Sequence, residues 1–171
     1  MVENTNTTPV IILAGGFGTR LSTVVKDVPK PMAPINGKPF LHFIFKELQQ
    51  QQIQKVVLSV GYLKEIIQAY FKEEYLGITI EYAIEEVPLG TGGGIKNALK
   101  KIETDAYILN GDTFFDIPLS ALKNTSADIT IALKPMFQFD RYGTVEVDTT
   151  QRIISFNEKK HCEHGLINGG V

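Results

Sequence analysis

The hydrophobic pattern of the first 112 residues alternates between short apolar runs and amphipathic segments. The runs at 9–14, 55–60, 78–84 and 106–109 are rich in aliphatic residues, as buried strands are. Between them, residues 40–53 and 63–72 repeat apolar positions at the helical period, and a glycine-rich segment opens a third helix at 90–99. Strands that alternate with helices predict a mostly parallel sheet with helices on both faces.

The remainder of the chain has a different pattern. Residues 128–133, 144–147 and 152–156 are predicted to be strands with little helix between them, and residues 148–151 form a turn. The sequence therefore predicts an α/β fold, Rossmann-like, with a mixed sheet and antiparallel strands towards the C-terminus.

Composition narrows the class of protein. The chain has 171 residues, is 43% hydrophobic and carries a formal charge of −2, which fits one domain over residues 9–171 after a disordered polar N-terminus at 1–8. The charge balance argues against a nucleic-acid partner, and no apolar run is long enough to cross a membrane. With one cysteine, Cys162, and no signal-peptide pattern, we expect a cytoplasmic protein.

Ligands in open α/β sheets bind beyond the carboxyl ends of the parallel strands, so the candidate ligand-binding residues are those that follow each predicted strand. The glycines of the segment 13–21 follow the first strand and would let backbone amides approach a phosphate. Between Gly16 and Lys38, four basic residues face one acid, Asp27, which gives a local charge of +3 (4 − 1). This segment predicts a polyphosphate site, and its basic residues are Arg20, Lys26, Lys30 and Lys38.

Two common phosphate motifs are excluded. Gly37-Lys38 is followed by Pro39, so the hydroxyl of a Walker loop is missing. Leu21 stands where a dinucleotide fingerprint has its third glycine, and a proline-dense stretch follows instead of a helix. The site therefore belongs to another class of phosphate-binding protein.

Short motifs follow one another from residue 9 to the C-terminus. They are Leu13-Ala14-Gly15-Gly16-Phe17-Gly18-Thr19-Arg20-Leu21, Pro29-Lys30-Pro31-Met32, Gly37-Lys38-Pro39, Pro88-Leu89-Gly90-Thr91-Gly92-Gly93, Leu109-Asn110-Gly111-Asp112, Arg141-Tyr142-Gly143, Phe156-Asn157-Glu158-Lys159 and Asn168-Gly169-Gly170-Val171. In this order they resemble the signature of the sugar-1-phosphate nucleotidyltransferases. Segments 110–116 and 140–145 look most like the bacterial D-glycero-α-D-manno-heptose 1-phosphate guanylyltransferases.

The resemblance implies an Mg²⁺-dependent enzyme that joins a sugar 1-phosphate to a nucleoside triphosphate and releases pyrophosphate. GTP and the heptose 1-phosphate are the expected small-molecule substrates, and surface-polysaccharide biosynthesis is the expected context. The reaction must neutralise two anions, align them and hold charge on the α-phosphate. The resemblance assigns Arg20 to the leaving pyrophosphate, Lys30 to the phosphates at the reaction centre and Asp112 to the metal.

Further residues are assigned to the two substrates. Glu85, or alternatively Glu86, could accept the N1 and N2 protons of guanine, which uracil and thymine lack; an ordinary solvated acidic pair is the other interpretation. Glu158 and Lys159 are adjacent, so they can share a site only where a strand ends or bulges. The residues predicted to bind the nucleotide are Leu13, Ala14, Gly15, Gly16, Gly18, Thr19, Glu85, Gly90, Thr91 and Gly92, and those predicted to bind the sugar phosphate are Gly143, Glu158, Lys159 and Asn168.

Several alternatives stay open at the level of the sequence. The same chemistry could use another nucleotide, or mannose or glucose 1-phosphate, and a regulatory domain could bind these ligands without catalysis. A homo-oligomer is possible. The segment 161–164, with two histidines and Cys162, is interpreted as a loop. Because the chain stops within the motif at 168–171, we expect a domain truncated at its C-terminus, before the second metal-binding aspartate of the family.

Overall fold

The computed structural model describes residues 7–16, 28–123 and 127–171. Gly18, Thr19 and Arg20, three of the predicted site residues, lie outside the described residues. The chain divides into two compact units, Met1–Asp116 and Ile117–Val171, which are considered in turn. The strands and helices, in chain order, are β1 Val10–Leu13, β2 Pro34–Ile35, β3 Lys38–Pro39, α1 Phe40–Gln50, β4 Lys55–Val60, α2 Lys64–Phe71, β5 Glu74–Tyr75, β6 Ile78–Ile84, α3 Gly90–Leu99, β7 Tyr107–Asn110, β8 Leu133–Phe139, β9 Val145–Val147, β10 Ile153–Phe156 and β11 Cys162–Asn168.

The first unit contains a five-stranded sheet in the order β5-β6-β4-β1-β7. Strand β1 is parallel to both β4 and β7, β4 is parallel to β6, and only the edge strand β5 is antiparallel. Numbered along the chain, the four parallel strands follow the order 3-2-1-4, which is the order at the centre of Rossmann-type sheets. The predicted Rossmann-like, mixed sheet is confirmed.

Both faces of this sheet are covered. Ile11 and Val57 pack with Ala98 of α3 on one face. Successive side chains of a strand point to opposite faces, so Val10 and Val56 belong to the other face, and they too are fully buried. Burial on both faces explains why these strands are continuous apolar runs rather than alternating ones.

An aromatic cluster connects α1, α2 and β5. Phe45 and Phe71 are fully buried and stack with their ring centroids 5.0 Å apart. Tyr75 lies edge-on to both rings, and burial raises its pKa to about 12. The Tyr75 hydroxyl is 2.9 Å from Nδ1 of His42, whose pKa is lowered by burial and by the nearby Lys38 and Lys46. The cluster fixes both helices to the edge of the sheet.

Helix α1 ends three residues before its predicted end at residue 53. Gln52 adopts a left-handed conformation, with φ of 59°, and its amide donates to Gln49 O. The amide of the buried Ile53 donates to Leu48 O at 3.0 Å, which completes a Schellman motif. Glycine normally occupies the left-handed position, so with Gln52 there the sequence does not mark the exact residue at which the helix ends.

The second unit contains a four-stranded sheet in the order β10-β9-β11-β8, with all of its pairs antiparallel. The antiparallel strands predicted towards the C-terminus are therefore confirmed. The strand predicted at 128–133 is misplaced, because β8 begins only at Leu133 and continues to Phe139. Pairing with β11 sets this register, and Pro135 is tolerated since β8 is at the edge of the sheet.

The loop predicted at 161–164 is wrong, because Cys162–His164 begins β11. This strand pairs with β8 along its length and meets β9 at Leu166 opposite Val145. Its polar residues Glu163 and His164 are exposed, so no apolar alternation marked the strand in the sequence. In the part of the chain that the structure describes, no helix combines the length and apolarity that crossing a membrane requires.

Candidate active site

The carboxyl ends of the parallel strands bring two groups of polar side chains to one edge of the first sheet. Strand β1 is central, between β4 and β7. Glu85 follows β6 on one side of β1, and Asp112 follows β7 on the other. The ladders extend into these loops, because the Glu85 amide donates to Val60 O and the Gly111 amide donates to Leu13 O. The first residue of each loop is therefore still held by the hydrogen bonds of the sheet.

Lys30 and Asp112 form an ion pair next to the end of β7. Their side chains remain 41% and 34% exposed. A lysine ammonium and a carboxylate are the groups expected beside a polyphosphate and its divalent cation, respectively. The structure thus brings together two of the three predicted catalytic residues, which are 82 positions apart in the chain.

Local structure explains why Lys30 reaches this place. It begins a 3₁₀ turn, Lys30–Met32, which follows Pro29 and buries Pro31 and Met32. The Met32 amide donates to Pro29 O at 2.7 Å and closes the turn. A Cβ on Gly111 would lie 2.8 Å from Leu13 O and 3.3 Å from Pro31 Cγ. Glycine at this position lets the turn pack directly against β1 and β7.

The Glu85 carboxylate is half-buried and held at both oxygens. Oε1 accepts a hydrogen bond from the Ser59 hydroxyl at 2.7 Å, and Oε2 accepts one from the Leu89 amide at 3.1 Å. A Cβ on Gly15 or Gly94 would lie 2.9 or 2.8 Å from Oε1. A side chain at Gly15 would have to displace the Glu85 carboxylate, so the structure gives this glycine a role beside Glu85 in addition to the phosphate contact predicted for it.

Glu86 has a different environment. Its side chain is 81% exposed and pairs with Lys64 at 3.3 Å. It matches the alternative of a solvated acid, whereas Glu85 does not. Each oxygen of Glu85 has one of the two contacts described above, and a carboxylate oxygen can accept two, so Glu85 has capacity to accept further donors.

The remaining nucleotide-binding predictions that the structure describes lie along the same edge. Leu13 ends β1, and the amide of the buried Ala14 donates to Ser59 O at 2.8 Å. Gly16 follows and is exposed. On the far side of Glu85, α3 begins with the exposed segment 90–92, which contains Gly90, Thr91 and Gly92. Unpaired amides at a helix start favour anions and acceptor groups.

The second unit holds the residues predicted for the sugar phosphate. Strand β10 ends at Phe156, so Glu158 and Lys159 follow a strand end, as sharing a site requires. Both are exposed. A Cβ on Gly143 would overlap Asn157 O, which places Gly143 against this segment. Asn168 is exposed at the end of β11, and its side-chain oxygen accepts from the Gly170 amide at 2.8 Å.

Ser59 is a residue of the site that the sequence did not predict. It is fully buried, and it is the only buried polar residue among those the structure describes. The signal was present in the sequence, because a hydroxyl interrupts the otherwise apolar end of β4, which reads Val56-Val57-Leu58-Ser59-Val60. A buried hydroxyl requires a hydrogen-bond partner, but the sequence alone could not identify Glu85 as that partner.

Comparison with known proteins gives consistent matches over nearly the whole chain. The sequence model described as nucleotidyl transferase matches residues 9–170. D-glycero-alpha-D-manno-heptose 1-phosphate guanylyltransferase of Campylobacter jejuni is 60% identical over 161 residues, which are 94% of this chain and 73% of that protein. The protein of the same name from Aneurinibacillus thermoaerophilus is 52% identical over 94% of this chain and 72% of its own length.

Solved structures of other proteins superpose on this fold. HddC from Yersinia pseudotuberculosis, crystallised with GMP-PN, superposes with a TM-score of 0.80 at 38% identity, over 96% of this chain and 75% of that one. A UDP-glucose pyrophosphorylase complexed with UDP-glucose has a TM-score of 0.74 at 18% identity, over 95% and 74% of the two chains. The latter match supports the fold alone.

Proposed function

The chain belongs to the nucleotidyl transferase family, and we propose that it transfers a guanylyl group from GTP to D-glycero-α-D-manno-heptose 1-phosphate. The family membership confirms the resemblance found in the sequence. The relatives that are 60% and 52% identical carry this activity in their names, and the HddC structure contains GMP-PN. We place the enzyme in the cytoplasm, in nucleotide-sugar biosynthesis that supplies surface polysaccharides.

The observation that carries the proposal is the placement of two different groups on either side of β1. The Lys30–Asp112 pair, beyond β7, suits the phosphates and a cation. The Glu85 carboxylate, beyond β6, suits a base with adjacent N–H donors, which guanine has and uracil lacks. The two groups thus differ in chemistry as the two ends of a guanosine nucleotide do, the phosphates at one end and the base at the other.

The reaction is an in-line substitution at the α-phosphorus. An oxygen of the sugar phosphate forms a new P–O bond there, and the bond to the β-phosphate breaks to release pyrophosphate. The nucleophile is already ionised, so no general base is required; the barrier comes from bringing anions together. In the proposal, Lys30 neutralises charge on the α-phosphate, and Arg20, outside the described residues, covers the leaving pyrophosphate.

Asp112 fits a magnesium ion through the chemistry of its donor. It presents an exposed carboxylate at the carboxyl end of a strand, and Mg²⁺ is commonly held by one or two carboxylates with substrate phosphates and water. Within the described residues, no group of three or more His, Cys, Asp or Glu side chains could hold a metal. Bound there with substrate, Mg²⁺ would polarise the α-phosphate.

In the second unit, we assign the sugar phosphate to Lys159, with Glu158 accepting hydrogen bonds from sugar hydroxyls. The support is local: both follow the end of β10 and both are exposed. The amide of Gly143, which lies against Asn157, and the side chain of Asn168 complete the assignment.

Nucleotide binding tests the base assignment directly. Thermal unfolding of the full-length protein is measured with Mg²⁺ and GTP, ATP, UTP, CTP or dTTP at equal concentrations. A ligand stabilises the folded protein more as its concentration exceeds its Kd, by about 2.7 kcal/mol at 100 times the Kd. At equal concentrations the nucleotide that binds most tightly, which we expect to be GTP, should therefore raise the Tm most. A larger shift with UTP or dTTP would contradict the guanine assignment.

A further inference from the structure

We propose that Ser59 is a positioning residue for base selection, through the hydrogen bond from its hydroxyl to Oε1 of Glu85. This inference rests on the part of the proposed function that assigns the nucleotide base to Glu85. Ser59 has no exposed surface, so it acts on the nucleotide only through the carboxylate.

The environment of Ser59 is unusual for a hydroxyl. Its neighbours in the sheet, Leu13 on β1 and Ala83 on β6, are apolar. Burying a hydroxyl among such residues costs free energy unless it forms a hydrogen bond. Its bond is not to its own strand but to a side chain beyond the end of β6, at 2.7 Å. The bond therefore joins the interior of the sheet to the loop that begins at Glu85.

The carboxylate has little freedom once this bond is made. Gly94 of α3 approaches it so closely that a Cβ there would lie 2.8 Å from Oε1 and 3.1 Å from the Ser59 hydroxyl oxygen. Gly15 closes another side in the same way, and the Leu89 amide holds Oε2. Two donors and two glycines thus fix the position and the plane of the group.

A fixed plane matters because guanine presents two parallel donors. N1–H and N2–H can both bind a carboxylate only when its two oxygens face the base edge together. Holding the carboxylate in place before GTP arrives avoids the entropic cost of ordering it on binding. Without the Ser59 hydroxyl, Oε1 loses its anchor while Oε2 keeps the Leu89 amide, so the group can rotate out of this plane.

Ser59→Ala tests this role because it removes only the hydroxyl oxygen. We expect kcat/KM for GTP to fall about tenfold, mainly through KM, while the rates with UTP and CTP change little. The preference for GTP over UTP should fall by the same factor. Ser155→Ala is the matched control, since it also removes a serine hydroxyl that donates to a glutamate. In the second unit, the Ser155 hydroxyl donates to Glu146 at 3.1 Å. The preference of this variant for GTP over UTP should equal that of the wild type.

The same substitution in a Glu85→Ala background separates positioning from a structural role. Because Ser59 acts through Glu85, Ser59→Ala should leave the nucleotide preference of the Glu85→Ala variant unchanged. An equal fall in kcat/KM for all nucleotides, the same change of preference in both backgrounds, or no change in either would overturn the inference. Thermal unfolding of each variant identifies any loss of folded protein.

These measurements also distinguish failure of the inference from failure of the proposed function. A wild-type preference for a nucleotide other than GTP would refute guanylyl transfer. The inference would then be judged by whether Ser59→Ala reduces that other preference. If wild type prefers GTP and Glu85→Ala leaves this preference intact, the role of Ser59 is refuted and guanylyl transfer stands.

Discussion

The ion pair of Lys30 and Asp112 is too exposed to stabilise the fold by much, and its charges can be separated to bind a ligand. Both side chains are more than one-third exposed, and pairs of this kind contribute about 0–1 kcal/mol. Separating the charges is therefore inexpensive, so each can turn to a ligand of its own. Lys30 lies between Pro29 and Pro31, and Gly111, before Asp112, packs against Leu13 O and Pro31.

Asp112→Asn tests the proposed metal ligand. The amide keeps the shape of the side chain but removes its charge, so Mg²⁺-dependent pyrophosphate release should fall by about 100-fold or more. The Tm should change by only a few degrees, because an exposed pair adds little to stability. Asp105→Asn, which removes an exposed charge at the other end of β7, is the control and should retain activity. Retention of wild-type turnover by Asp112→Asn would refute the metal role.

At the scale of elements, the aromatic cluster holds α1 and α2 against β5, and its two buried rings should dominate the local stability. Phe71→Ala leaves a cavity beside Phe45 and should lower the free energy of unfolding by about 3–5 kcal/mol. Urea denaturation measures the change. Phe137→Ala, whose ring is 74% exposed, should change it by no more than about 0.5 kcal/mol. Similar losses for both variants would contradict this account of the core.

The elements that the sequence predicts well are those decided by burial. Strands β1 and β4 are buried on both faces and appear as apolar runs close to their observed bounds. Strand β6 is buried at Ile78, Ile80 and Ala83, and its bounds also match the predicted ones. The end of α1 and the position of β8 and β11 depend instead on a left-handed glutamine and on cross-strand register. Neither leaves a periodic signal, so these boundaries could not be read from the chain.

The candidate site also has parts that the sequence predicts and parts that depend on contacts between distant residues. Motif and charge predict Lys30 and Asp112 as separate site residues, but they do not predict that the two form a pair. The strand order 3-2-1-4 brings them together beside β1. The chemistry of guanine predicts Glu85, whereas its anchor Ser59 depends on a contact between β4 and the loop after β6. Pairwise contacts across the sheet are the information that the sequence lacks.

For the molecule as a whole, a charge network at the amino end of the sheet links distant parts of the chain. Glu81 lies 2.7 Å from Lys55 and 3.7 Å from Lys101, and Lys55 also donates to Lys101 O. The hydrogen bond from Lys55 is the main cause of the lowered pKa of Glu81. This network joins β4 and β6 to the turn after α3.

The lowered pKa predicts how stability depends on pH. The contribution of Glu81 is complete above its ordinary pKa of 4.5 and is lost as pH falls through the lower pKa of the folded state. Glu81→Gln should therefore reduce the free energy of unfolding at pH 7 by about 0.2–1 kcal/mol, and this difference should shrink below pH 4.5. Urea titrations from pH 7 to 3 measure it, with Glu103→Gln as the control for net charge. A difference that stays constant over this range would contradict the prediction.

Pyrophosphate release by the full-length protein tests the central claim most directly. The assay crosses GTP, ATP, UTP, CTP and dTTP with the 1-phosphates of D-glycero-α-D-manno-heptose, mannose and glucose, in the presence of Mg²⁺. We predict that GTP with the heptose 1-phosphate gives the highest kcat/KM, by about tenfold or more over every other pair. A higher value for another nucleotide or sugar, or no pyrophosphate release from any pair, would contradict it.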